Sequence, residues 1–187
     1  MIRELLVSPF LSESETALWV TAEEAAHAAG YGSLRRRAEY LTWRALVRRR
    51  LGAGVRIAYD EVGAPVLPET PWYLSVAHCA GCVAVYLADV RCAVDVEPAV
   101  RDFHRVVDRI ATPAERALSS DSRWPGVLWC VKECLYKYAR RPGADFARDL
   151  RVESADLVQG RVDARAFDEA VSLTLRLDGE FTIVSIP

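Results

Sequence analysis

The sequence predicts an α+β fold built from two similar halves, and three observations support this prediction. Residues 33–51 contain no Gly or Pro and are rich in helix formers, and Gly52 and Gly54 follow as a helix stop signal. Short apolar segments typical of strands come next. The same order, a helix and then strands, recurs in the second half of the chain.

The individual elements are predicted from apolar periodicity and turn residues. In the first half, strands are expected over 55–59, 72–77 and 82–88. In the second half, a helix is expected over 125–140, followed by strands over 149–153, 170–177 and 180–186. Asp178-Gly179 is a strong hairpin signal, and the segment from Thr112 to Glu115 has the pattern of a capping box.

Composition excludes several classes of protein. The 187 residues are 51% hydrophobic and carry a net charge of -2, so we expect a folded globular protein without a general affinity for nucleic acid or a membrane surface. No apolar run approaches the roughly 18 residues that span a bilayer. The N-terminus, Met1 to Phe10, lacks the pattern of a signal peptide, so a cytoplasmic location is expected.

The five cysteines are expected to be reduced, because their number is odd and no secretory signal is present. Cys79 and Cys82 form a C-x-x-C beside His78, which raises the possibility of a zinc site. A second ligand pair at regular spacing is missing. Small apolar packing residues are therefore the preferred interpretation.

Two acidic residues in an apolar segment are candidates for a metal site. In the segment from Cys92 to Pro98, Asp95 and Glu97 alternate with valines, so in a strand the two carboxylates share one face. Carboxylates this close repel each other unless a cation lies between them. A solvated strand face is the alternative interpretation.

The helix predicted over 125–140 has two different faces. Its core side is expected to consist of Leu128, Val131, Cys134, Leu135 and Tyr138. Its opposite side carries Trp129, Lys132, Glu133, Tyr136, Lys137 and Arg140. Glu133 and Lys137 are one turn apart, which fits either an ordinary surface ion pair or a third carboxylate with a phosphate-binding or proton-donating lysine.

Three arginines of the first helix form a second candidate site. Arg37, Arg44 and Arg48 fall on one narrow stripe between apolar strips, so we do not expect them to face bulk solvent alone. Arginines in such a position can form a cationic binding site. A nucleic-acid patch is the alternative, but no aromatic stacking surface accompanies it.

Four ordered motifs resemble those of the 4'-phosphopantetheinyl transferases of the larger, two-half type. The motifs are Gly63-Ala64-Pro65-x-Leu67, Ser75-Val76-Ala77-His78-Cys79, Ala93-Val94-Asp95-Val96-Glu97 and Trp129-Cys130-Val131-Lys132-Glu133-x-x-x-Lys137. The resemblance implies a pseudo-dimer of two α+β halves. It places coenzyme A phosphate binding in residues 1–92 and the metal and base in residues 93–187.

The resemblance also implies an activity. The chain would transfer 4'-phosphopantetheine from coenzyme A to a serine of an apo carrier protein of the acyl, peptidyl or polyketide type, releasing 3',5'-ADP. The reaction would need Mg²⁺, with Mn²⁺ as the alternative metal, and the enzyme would act as a monomer.

The same resemblance assigns roles residue by residue. Asp95, Glu97 and Glu133 would hold the metal, and Glu133 or Glu97 would be the base. Lys137 would stabilise or protonate the leaving phosphate, and Arg37, Arg44, His78 and Lys137 would bind the coenzyme. Phe103, in an apolar stripe with Val100, Val107 and Ile110, is a candidate contact with the carrier.

Four positions depart from the family pattern. Ala77 and Cys79 replace serines beside His78, Ala64 replaces a lysine, and Ala93 replaces a glycine. These changes favour, as an alternative, a degenerate homologue that binds coenzyme A or a carrier without catalysis. A small metal-dependent phosphoesterase with the same carboxylates is a further alternative.

Overall fold

A computed structural model describes residues 3–187, so Met1 and Ile2, the first residues of the predicted first half, lie outside the described residues. In the N-terminal part, an 18-residue helix lies against a three-stranded antiparallel sheet of order β1-β5-β4. The elements of this part are β1 (Arg3–Pro9), α1 (Glu13–Thr16), α2 (Ala22–Ala29), α3 (Leu34–Leu51), β2 (Ala58–Tyr59), β3 (Pro65–Val66), β4 (Tyr73–Cys79) and β5 (Cys82–Ala88).

Capping residues define both ends of helix α3. The Ser33 side chain accepts a hydrogen bond from the Arg36 N–H at the N-cap, and Gly52 follows the last residue with a φ of 109°. Trp43 and Val47 pack against the sheet. The apolar side chains that they contact come chiefly from the two paired strands: Leu74, Val83, Val85 and Leu87. Burying these side chains fastens the helix to the sheet.

In the C-terminal part, a 16-residue helix packs on a five-stranded antiparallel sheet of order β6-β10-β9-β8-β7. The elements are β6 (Ala93–Pro98), α4 (His104–Ile110), α5 (Pro113–Arg116), α6 (Trp124–Ala139), β7 (Leu150–Asp156), β8 (Arg161–Ala166), β9 (Glu169–Leu177) and β10 (Phe181–Ile186). None of the helices among residues 3–187 is long and apolar enough to cross a membrane.

The two sheets meet along β4 and β6. The Val94 N–H of β6 donates a hydrogen bond of 3.0 Å to the Ser75 Oγ of β4. Apolar residues from both parts form one core cluster at this junction, including Ala77, Val94 and Ile183. The candidate acidic strand therefore lies at the junction between the two sheets.

The mixed α and β architecture and most predicted elements are confirmed. The two long helices match to within one residue, and the capping box of α5 is present. The strand expected over 55–59 is only two residues long, and β1, α1, α2 and β8 were not predicted. Both parts place a helix on an antiparallel sheet, although one sheet has three strands and the other five. That the two parts are equivalent halves of a pseudo-dimer stays a prediction.

The core side of α6 agrees with its periodicity, except at one residue of the opposite side. Leu128, Val131, Cys134 and Leu135 are fully buried, and Tyr138 is partly buried. Lys132 was expected on the open face, and this was wrong because its side chain is also completely buried.

Lys132 is buried because α5 and β7 cover that side of α6. Its Nζ lies 2.5 Å from Glu115 Oε1 and also donates to the carbonyl oxygens of Phe146, at 2.8 Å, and Leu150. Glu115 Oε1 also accepts from the Val152 N–H at 2.7 Å. This network joins α5, α6 and β7.

We predict that Lys132→Met strongly destabilises the protein. The change leaves Glu115 as a buried, uncompensated carboxylate, which costs roughly 3–5 kcal/mol. Urea denaturation followed by circular dichroism measures the free energy of unfolding. As a control, Arg148→Ala removes an exposed ion pair with Asp149 and should change it by less than about 1 kcal/mol. Wild-type stability in the Lys132 variant would contradict the structural role.

Candidate active site

Asp95 lies near the middle of β6 and is held by a lysine of α6. Its Oδ1 accepts a hydrogen bond of 2.6 Å from Lys137 Nζ, which also donates to the Val94 carbonyl at 3.2 Å. The residue is only 6% exposed, and its Oδ2 is buried without a hydrogen-bond partner among residues 3–187. Burial lowers the pKa of Lys137, but the charge of Asp95 outweighs this, and the pKa is raised overall.

Glu97, two residues further along β6, has two other partners. Its Oε1 accepts from Trp129 Nε1 at 2.7 Å, and its Oε2 accepts from Arg101 at 3.0 Å. Burial raises the pKa of Glu97, and the negative charge of Asp95 adds to this effect, while the Trp129 hydrogen bond and Arg101 oppose it. Trp129 therefore links this carboxylate to α6.

Glu133 is the third acidic residue of the group. It is half-buried, and none of residues 3–187 forms a hydrogen bond or ion pair with its side chain. Burial raises the pKa of Glu133, the charges of Asp95 and Glu97 raise it further, and Lys137 opposes them. The structure thus brings the three predicted carboxylates and Lys137 into one electrostatic group.

The carboxylates are at present held by other side chains. Lys137 occupies one oxygen of Asp95, and Trp129 and Arg101 occupy the oxygens of Glu97. Within the described part of the chain, no three His, Cys, Asp or Glu side chains are arranged so that they could hold a metal ion as they stand.

A row of aromatic rings supports Trp129. Phe103 stacks on it with a centroid distance of 6.1 Å, and Phe146 stacks on it at 6.4 Å. Tyr136 stacks on Phe146 in turn, at 5.3 Å. Since both neighbours of Trp129 are nearly parallel to it, they restrict the ring that donates to Glu97.

The expectation that Phe103 contacts a carrier protein was wrong. Phe103 is 2% exposed, because it packs beneath Trp129 and against Gly126 at the start of α6. Val100 does not share its apolar stripe and is 93% exposed. Phe103 and Val107 of the stripe therefore belong to the core, whereas Ile110 is half-buried and Val100 is exposed.

His78 lies near the end of β4, at the edge of the N-terminal sheet. Its side chain is 47% exposed, with Nδ1 3.4 Å from Glu39 Oε2 of α3. Desolvation lowers the pKa of the imidazole, Glu39 opposes this, and the positive charge of Lys137 adds to the lowering. The charge of Lys137 acts on His78, so the imidazole lies on the side of the molecule that carries Asp95, Glu97 and Glu133.

Cys79 and Cys82 are free, buried and directly opposite each other across the β4–β5 hairpin. Interaction with the Cys82 sulfur and burial both raise the pKa of the Cys79 thiol. Neither residue belongs to a ligand group for a metal among residues 3–187. The packing interpretation of the C-x-x-C is the one that their burial supports.

The arginine stripe of α3 is buried, as its position between apolar strips indicated. Arg44 is 2% and Arg48 3% exposed. Arg48 forms two hydrogen bonds with Glu24 of α2, at 2.6 and 2.9 Å, and Arg44 Nε lies 3.3 Å from the same carboxylate. The Arg44 guanidinium also lies 3.4 Å from the centre of the Tyr40 ring. Most of this charge is therefore used within the N-terminal part.

Arg37, the third member of the stripe, lies nearer the surface. Its Nη2 donates to the Ala29 carbonyl at 3.2 Å, and its Nη1 is 3.8 Å from Glu13. The sequence showed the stripe but not these partners, because α1 and α2 were not predicted. Their two capping boxes, at Ser12–Glu15 and Thr21–Glu24, were the available signal.

A cavity of about 250 Å³ lies between the two parts of the molecule. Its walls include Gly63, Ala64, Ser75, Lys137, Arg140 and Arg141. Across it, Arg140 donates to Asp60 at 2.8 Å. The sequence showed Arg140-Arg141 only as a basic cluster, because a contact between residues 80 positions apart leaves no local pattern.

Comparison with known proteins bears on the C-terminal part of this site. No curated protein matches the chain. Residues 91–181, which include Asp95, Glu97, Glu133 and Lys137, match the family model described as the 4'-phosphopantetheinyl transferase superfamily. The match covers the C-terminal part of the chain, in which α6 packs on the five-stranded sheet.

Proposed function

We propose that the chain transfers 4'-phosphopantetheine from coenzyme A to a serine of an apo acyl, peptidyl or polyketide carrier protein. The observation that carries this proposal is the group formed by Asp95, Glu97, Glu133 and Lys137 within the segment that matches the superfamily. One chain supplies both sides of the adjoining cavity, so we expect the enzyme to act as a monomer.

The acidic group fits a divalent cation in charge and in donor type. Oxygen donors suit Mg²⁺, and Asp95 Oδ2 is a buried oxygen without a partner among residues 3–187. Burial is the main cause of the raised pKa of Glu97 and of Glu133, and the negative charge of Asp95 adds to the rise in both. Asp95, Glu97 and Glu133 would hold Mg²⁺, which when bound neutralises charge on the phosphate oxygens.

The chain's own residues account for the proton movements. In the proposed step the carrier serine oxygen forms a bond to the β-phosphorus of coenzyme A, the bridging P–O bond breaks, and 3',5'-ADP leaves. Glu133 accepts the serine proton, because it has no competing partner among the described residues and a raised pKa makes a carboxylate a better base. Glu97 is the competing base, but Trp129 and Arg101 hold both of its oxygens.

Lys137 serves the leaving group in this proposal. Its raised pKa keeps the amine protonated at neutral pH, so it can stabilise or protonate the departing phosphate. His78, whose imidazole interacts with Lys137, is the proposed coenzyme contact from the N-terminal part. Arg37 remains a proposed coenzyme contact, whereas Arg44 would first have to leave Glu24.

Transfer of phosphopantetheine is the first prediction. Apo carrier proteins of the acyl and peptidyl types, incubated with the protein, coenzyme A and Mg²⁺, should each gain the mass of one phosphopantetheine in intact-mass spectrometry. Coenzyme binding without any mass gain would instead support the non-catalytic homologue. Release of phosphate from generic esters without transfer would support a phosphoesterase.

The second prediction concerns the base. Glu133→Gln keeps the size of the side chain but removes its ability to accept a proton, so the transfer rate should fall by about 10²–10⁴-fold. The rate is measured with saturating coenzyme A. Glu153→Gln, which changes an exposed glutamate of β7, is the matched control and should keep the wild-type rate. Near-normal transfer by a folded Glu133 variant would refute this role.

The third prediction concerns the metal and does not depend on turnover. Mg²⁺ should raise the melting temperature of the wild-type protein in the presence of coenzyme A, because a ligand that binds only the folded state stabilises it. Asp95→Asn should lose most of this increase, since a carboxylate is replaced by a neutral amide. An equal increase in both proteins would show that Asp95 does not bind the metal.

A further inference from the structure

The β4–β5 hairpin carries two cysteines at its tip. Strand β4 ends at Cys79 and β5 begins at Cys82, so only a two-residue turn separates them. The two cysteines are paired with each other in the antiparallel register, and both are free. Their side chains therefore leave the sheet on the same face, side by side.

The backbone holds these two cysteines at a distance that suits a disulfide. Residues that face each other across an antiparallel pair have Cα atoms about 4.5–5.5 Å apart, and the Cα atoms of a disulfide are usually about 4.4–6.8 Å apart. Each thiol changes the pKa of the other through a side-chain interaction, so the two sulfur atoms are neighbours. Formation of the bond therefore needs little movement of the strands.

The two thiols differ in their tendency to ionise. The adjacent Cys79 thiol lowers the pKa of Cys82, and burial opposes this effect. The same interaction, together with burial, raises the pKa of Cys79. Since the thiolate is the nucleophile in cysteine chemistry, Cys82 is the residue that reacts first, and Cys79 lies beside it as a resolving thiol.

The other three cysteines are less able to ionise. Burial raises the pKa of Cys92 to about 12. Burial also raises the pKa of Cys130 and of Cys134, which are completely buried on α6. Thiolate chemistry is therefore expected at the hairpin tip first.

The turn at the hairpin tip leaves room for a small oxidant. Ala80 and Gly81 are exposed, and a Cβ added to Gly81, whose φ is 84°, would meet no atom within 4 Å. The two cysteines are nearly buried, at 5% and 2% exposed. This combination favours a small peroxide over a bulky disulfide as the reactant, because only a small molecule can pass the turn to the sulfur atoms.

We propose that Cys79 and Cys82 form a reversible disulfide when the protein is oxidised by a hydroperoxide. With hydrogen peroxide, the Cys82 thiolate attacks one oxygen, the O–O bond breaks, and a sulfenic acid and hydroxide form. The hydroxide takes up the proton that Cys82 released. The Cys79 sulfur then attacks the sulfenic sulfur, the S–O bond breaks, and the Cys79 proton leaves with the oxygen as water. Two thiols lose two electrons, and one peroxide becomes two water molecules.

A disulfide at this place is suited to a reversible modification. It closes a loop of only four residues, and a loop that short removes little conformational entropy from the unfolded chain. A disulfide that contributes little to folding is readily reduced by thiols. Cys79 follows His78 in β4, so the bond forms beside the proposed coenzyme contact.

The test measures both thiols after treatment of the reduced protein with hydrogen peroxide. Trypsin should release residues 57–91 as one peptide, which holds these two cysteines and no other. In the wild-type protein this peptide should lose the mass of two hydrogen atoms and resist alkylation, and dithiothreitol should restore both thiols. Peptides that carry Cys92, Cys130 and Cys134 should stay alkylatable after unfolding in urea.

Serine variants separate the roles of the two thiols. Cys79→Ser keeps a small polar group beside Cys82 but removes the resolving thiol, so Cys82 should stop at a sulfenic acid that dimedone labels. Cys82→Ser should leave Cys79 unlabelled at the same peroxide concentration. Cys92→Ala, which removes a buried cysteine outside the hairpin, is the matched control and should form the disulfide as the wild-type protein does.

Retention of both thiols in the folded wild-type protein, at a peroxide concentration that oxidises free cysteine, would overturn the proposal. A product that dithiothreitol does not reverse, or oxidation of Cys92 to the same extent, would also overturn it. Neither coenzyme A nor a carrier is present, so the result is independent of the proposed transfer.

Discussion

The buried ion pair between Lys132 and Glu115 fixes the rotation of α6, and the site depends on that rotation. One face of the helix is packed by apolar residues, and Lys132 attaches the adjoining face to α5 and β7. Glu133 and Lys137 are consequently left to face β6. A buried charged pair is weak evidence of stability, but it specifies one orientation, because any other rotation would leave a charge without a partner.

The orientation of α6 concentrates negative charge at the junction of the two sheets. Asp95 and Glu97 lie on one strand face, and Glu133 approaches from the helix. Burial raises the pKa of Glu97 and of Glu133, and the negative charge of Asp95 adds to the rise in both. Lys137 and Arg101 compensate part of this charge within the protein. Because these internal cations offset only part of the repulsion among the carboxylates, additional positive charge is favourable at this site.

The arginines form two groups that differ in burial. Arg44 and Arg48 are almost fully buried and share the carboxylate of Glu24, so they join α2 to α3. Arg140 is partly exposed, adopts an unfavourable backbone conformation and lines the cavity. Burial against partners within the protein indicates a structural role for Arg44 and Arg48.

The sequence by itself determined the long helices, most of the strands and the identity of the acidic residues. These features follow from local rules: the alternation of Asp95 and Glu97 with valines gives their common strand face, and the helical period places Glu133 one turn before Lys137. The order of the motifs also carried the resemblance that the match over residues 91–181 supports at the level of the superfamily.

Only the tertiary structure decided which charges are buried and what they contact. Lys132 has a position that looks open on a helical projection, but α5 and β7 cover it. Phe103 was a candidate contact with a carrier, but it packs against Trp129 and is buried. The partners of Arg48 and Arg140 lie 24 and 80 residues away in sequence. Periodicity describes one element at a time, whereas burial and ion pairing depend on which other elements pack against it, and that information is not local.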